Sequence, residues 1–132
     1  MKSKLLITSL VVGLFSMLIF SVVSASTANP FTGHWYAVDS FDGSDIRLTI
    51  AGGGARGYRI TWTENYFTLC AGEPGIGRGR GTAVSATELD VEIQFTCFTT
   101  GTTLDQELTF TYNHVTNTLT DGTDTWSRIG AP

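Results

Sequence analysis

The chain has 132 residues, 8 of them basic and 12 acidic, for a formal charge of −4. At 42% hydrophobic and 15% charged it is too apolar for a disordered tail, and its length suits one domain. An acidic balance also argues against general nucleic-acid binding, where phosphate neutralisation dominates affinity.

The first residues differ in kind from the rest. Lys2 and Lys4 are the only lysines, and Leu5 to Val23 carries no charge. Val23-Ser24-Ala25 follows, with small residues where a signal peptidase reads. This is the layout of a secretory signal peptide ending at Ala25, and the small-residue exit favours removal over an uncleaved anchor. Removing 25 of 132 residues leaves a domain of 107, residues 26–132. Two of the 8 basic residues go with the leader, leaving six arginines against 12 acids, a charge of −6.

After a polar leader, Ser26 to Pro30, the apolar period is two and never 3.6. Strands are expected near 33–39, 45–50, 57–63, 66–70, 78–84, 88–97, 104–113, 117–120 and 123–129. The run Leu89 to Cys97 is apolar at odd positions and polar at even ones, the mark of a half-buried strand. Leu104, Gln106, Leu108, Phe110 and Tyr112 share one face of the next. Asp42-Gly43, Gly101, Asn113–Asn117 and Asp121-Gly122 read as turns, as does Glu64-Asn65. Eight or nine short antiparallel strands point to an all-β, up-and-down barrel, whose closure removes exposed edges. A two-sheet sandwich is the alternative, since the patterns do not separate the two.

Cys70 and Cys97 are the only cysteines. In an exported protein an even number implies one disulfide, and no histidine stands at zinc-ligand spacing beside them.

Gly33-His34-Trp35 opens the first strand and Trp126-Ser127-Arg128 lies in the last. A Gly-x-Trp start with a late arginine resembles the lipocalin and calycin-type barrels. The resemblance implies that Arg128 packs over Trp35 and seals one barrel end, and that the interior can hold a small apolar or aromatic ligand. Candidate ligand contacts are the inward-facing Tyr58, Trp62, Phe95, Phe110 and Tyr112, with Gln106 as the one amide on that face. So many rings also suit an interior filled by its own side chains.

Other segments invite chemistry more weakly. Ala71 to Gly81 reads as a glycine-rich loop entering a strand, with Arg78 and Arg80 on one face. Two guanidinium forks can grip a carboxylate, phosphate or sulfated sugar. Glycines opposite them can instead make room for a ring such as Trp62. Asp39, Asp42 and Asp45 crowd a seven-residue stretch, but the spacing is not that of an EF-hand, and a polar hairpin is preferred to calcium. His34 and His114 have no local nucleophile, and Glu88, Glu92, Asp105 and Glu107 face solvent by parity. No catalytic residue, metal or cofactor is expected. The expectation is a monomeric, disulfide-stapled barrel exported from a bacterial cell. It would bind a small apolar ligand inside, or meet an extracellular protein or glycan through its loops. A hydrolase inhibitor presenting the Pro74 loop is the weakest version.

Overall fold

The computed structural model describes residues 29–130; the expected signal segment lies outside them. The chain forms eight antiparallel strands in strict meander order that close into a barrel. They are β1 (Gly33–Val38), β2 (Asp45–Gly52), β3 (Tyr58–Phe67), β4 (Glu73–Ala83), β5 (Glu88–Cys97), β6 (Thr103–Asn113), β7 (Thr118–Thr120) and β8 (Thr125–Ile129). β8 returns to β1 through the pairs His34–Ile129, Trp35–Arg128 and Tyr36–Ser127. The barrel is therefore the correct choice over the sandwich, and its form is consistent with a calycin-like fold.

Two expected boundaries are corrected. Glu64-Asn65 is not a turn: β3 runs unbroken where two strands are expected, which settles the expected eight or nine strands at eight among the described residues. Its register against β4 shifts between Glu64 and Phe67. The bulge leaves Asn65 and Tyr66 outside and returns Phe67 to the interior beside Glu64. The chain then makes a 3-10 turn, Thr68–Cys70, and Ala71 takes the left-handed conformation at φ 56°.

The glycine-rich stretch is also strand, not loop, from Glu73 onward. Its inward positions are Gly75, Gly77, Gly79 and Gly81, and the neighbouring strand has moved into the space they leave. A Cβ on Gly77 would stand 2.6 Å from Phe95 Cε1 and 2.7 Å from Ile93 Cδ1. At Gly79 it would overlap the Glu92 carbonyl oxygen and stand 2.8 Å from Ile93 Cα. Hydrophobicity alone misses such a strand, because its buried face has no side chains.

The disulfide forms as expected between Cys70 and Cys97, two buried residues whose Cα atoms are 5.4 Å apart. It ties the 3-10 turn to the end of β5. The core is one cluster in which Trp35, Trp126, Phe31 and Phe110 are almost completely enclosed.

Candidate functional surface

Five of the six inward residues named from the sequence join the one core cluster, as two groups of rings, and Gln106 stands apart. Trp62 packs edge-on against Phe95 at 5.4 Å and Trp126 at 4.7 Å between centroids. Phe110 meets the same Trp126 at 6.2 Å, and Phe67 leans on Phe95 at 4.7 Å. Tyr58 and Tyr112 lie at the other end, where both meet Phe31 edge-on at 5.7 and 6.4 Å. Gln106 is half-buried on β6, beside a shallow outer depression shared with Glu92, Ile93, Asp105 and Glu107. The rings that join these groups are Trp126, which the sequence marks only as a neighbour of Arg128 in the last strand, and Phe31 and Phe67, which it does not mark. Parity with Arg128 was the available signal for Trp126; Phe31 lies before the first strand and gave none.

One end of the barrel is sealed. Phe31 lies across it, its carbonyl accepting the Trp35 indole N–H at 2.9 Å. The Arg128 guanidinium carbon stands 4.1 Å from the centre of the Trp35 ring, the contact the resemblance implies. Its Nη1 donates to the Thr32 carbonyl, its Nη2 to the Pro30 carbonyl at 2.6 Å and its Nε to Asn117 Oδ1 at 3.1 Å. A Cβ on Gly33 would overlap that guanidinium, which gives the glycine of Gly-x-Trp its reason.

The opposite end is acidic. Glu64 is only 3% exposed, and its carboxylate accepts Ser44 Oγ–H at 2.8 Å and the Trp62 indole N–H at 3.4 Å. Oxygens of Asp39, Asp42 and Glu64 lie within 4.8 Å of one another. Asp45, the third acid of the sequence cluster, instead accepts the Tyr36 hydroxyl at 2.6 Å on the outside. Burial pushes the Glu64 carboxyl up to about 7, the negative charge of Asp39 adds to this, and the bonds from Ser44 and Trp62 only partly offset it. Hydrogen bonds from Ser44 hold Asp42 below the usual carboxylate range. The Asp39 and Asp42 oxygens already accept the Phe41 and Ser44 amides at 2.6 and 2.8 Å, as a self-capped hairpin does.

The outer wall divides by charge. Arg78 and Arg80 project outward from β4, on the strand itself. Arg59 stands directly opposite Arg80 across the β3–β4 ladder. With Arg56 from the 3-10 turn Gly54–Arg56, they line a shallow depression of about 390 Å³. On the adjacent β5–β6 wall, Glu92 faces Glu107 and Gln94 faces Asp105.

No protein-family model, no curated protein and no solved structure matches this chain.

Proposed function

We propose that this chain is a secreted binding module whose interior is structural and whose partner is met on the outside, at the arginine wall of β3 and β4. The observation that carries the reading is the Arg59–Arg80 pair. Like charges directly opposite on a sheet are destabilising, yet two guanidinium groups face each other here with Arg56 and Arg78 beside them, and the one acid opposite them across β4–β5 is Glu92, facing Arg80. Four planar, permanently charged forks on an otherwise acidic protein suit a carboxylated or sulfated glycan. The disulfide is compatible with an oxidising, extracellular setting. The reading involves no catalysis.

Titration calorimetry with sulfated and carboxylated oligosaccharides tests it, using the wild type, Arg59→Ala/Arg80→Ala and Arg78→Ala. Binding that weakens with salt and falls in both variants supports the reading. A double variant that binds like the wild type overturns it, and capture of an acidic protein alone moves the partner to another class.

A second reading, a lipocalin-like carrier, has in its favour the closed barrel and the Arg128 seal over Trp35. A ligand would then have to displace the edge-packed Trp62 and Trp126 rings from the barrel interior.

A further inference from the structure

The barrel wall is not evenly closed. β6 is 11 residues long and β7 only three, and β7 pairs with Thr111–Asn113 alone. The segment from Thr103 to Phe110 has β5 on one side and, among the described residues, no strand on the other.

The backbone groups that this leaves open can be named. The Cys97 amide donates to the Thr102 carbonyl at 2.9 Å, which marks that pair as directly bonded. Bonded and non-bonded pairs alternate along an antiparallel ladder. Leu104, Gln106, Leu108 and Phe110 therefore turn their N–H and C=O groups to β5. Thr103, Asp105, Glu107 and Thr109 turn theirs to the open side. The Tyr112 amide, bonded to the Thr87 carbonyl at 2.7 Å, keeps the same alternation.

The side chains along this edge differ by face. Asp105 and Glu107 are exposed on the outer face, with Glu92 across the ladder from Glu107. Leu104 is 39% exposed on the inner face, and Gln106 and Leu108 are half-buried there. A second copy is a poor occupant. Antiparallel pairing centred on Gln106 would set Asp105 of one copy against Glu107 of the other, and acids at an edge are a known guard against such pairing.

We propose that the open edge of β6, Thr103 to Thr109, accepts an extended segment of a partner protein as an added strand. That segment alternates basic residues on the outer face, against Asp105 and Glu107, with apolar residues on the inner face, against Leu104 and Leu108. Main-chain hydrogen bonds would supply the pairing and the alternation its selectivity, as in other strand-addition modes. This edge lies beyond β5 from the arginine wall and has the opposite charge, the two meeting at Glu92, which stands opposite both Arg80 and Glu107.

The test uses fluorescent ten-residue peptides alternating Lys with Val, the same peptides with Glu for Lys, and a Lys–Val peptide interrupted by proline. Anisotropy reads the affinity, and amide exchange in the folded protein reads the place. The Lys–Val peptide should bind and slow exchange at Asp105, Glu107 and Thr109, with the Glu peptide weaker by about ten-fold or more. Asp105→Lys/Glu107→Lys should invert that preference. Thr109→Pro should weaken binding of the Lys–Val peptide, because it removes one open N–H while the main-chain bonds to β5 remain; Thr109→Ala, which loses the same hydroxyl bond to Asp90 at 2.8 Å but keeps the N–H, should bind like the wild type. Equal binding of the proline-interrupted peptide would reduce the effect to charge and overturn the proposal. So would slow exchange at these amides before any peptide is added, or concentration-dependent self-association that buries them.

Discussion

Glu64→Gln separates the cost of the buried carboxyl from everything else at the acidic barrel end. In the unfolded chain this group titrates near 4.5, and in the fold near 7. The folded state therefore holds a proton that the unfolded state releases between those values. Stability from this group is complete below the lower value, falls as pH rises toward 7, and is flat above it. A displacement of that size corresponds to about 3 kcal/mol, at about 1.4 kcal/mol for each pH unit. Glutamine keeps an acceptor for Ser44 and does not ionise. Chemical denaturation of the wild type should show the fold weakening by about 2.5 kcal/mol from pH 5 to pH 8, since the unfolded carboxyl is already mostly ionised at pH 5, and the variant should remove most of the slope. At pH 8 the variant should be the more stable protein; at pH 5 the two should be close, or the wild type slightly ahead. Asp42 works in the opposite sense, its lowered titration adding stability that is lost only as pH falls through the acidic range. A wild-type stability that does not change between pH 5 and 8, or a variant that keeps the full slope, would refute this account of Glu64.

Other substitutions test the seal, the thin strand and the cross-link. Arg128→Ala leaves the Pro30 and Thr32 carbonyls without their cation and uncovers Trp35, and thermal denaturation should show a loss on the order of 3 kcal/mol. Gly77→Ala pushes against the ends of two side chains, Phe95 and Ile93, and should cost roughly 1 to 3 kcal/mol. Gly79→Ala meets backbone of β5 and should cost clearly more; comparing the two denaturation midpoints checks the order. Replacing Cys70 and Cys97 together by serine should lower stability by about 3.5 kcal/mol in the chain-entropy account, read from urea midpoints.

Much of the fold is legible because period two survives in the sequence wherever a strand has ordinary side chains on both faces. β5 and β6 appear at nearly their observed limits for that reason; the cysteine pair follows from residue type, and the Trp35–Arg128 contact from the resemblance to calycin-type barrels. What is missed has physical causes. Glu64 reads as a turn residue because a bulge at Asn65 and Tyr66 interrupts the parity, and a carboxylate is not an expected occupant of a barrel interior. β4 reads partly as loop because its buried side is bare backbone. Arg78 and Arg80 are recognised as a pair, but the strand register that places Arg59 opposite Arg80 is not written in local sequence. The open edge of β6 is likewise a property of register: strand lengths alone do not say which three residues of β6 β7 will cover.

The glycines of β4 and the disulfide act together on the chain before it folds. Gly75, Gly77, Gly79 and Gly81 leave this segment freely rotating in the denatured protein, and each costs about 0.5 to 1 kcal/mol more than alanine to order as strand. The Cys70–Cys97 bond encloses the whole of β4 and β5 in one ring, so it shrinks the search over a region with much freedom to lose. Reduction should therefore be felt first as local opening of β4 from its neighbours, with proteases cutting among the glycines while β1, β2 and β8 still hold together.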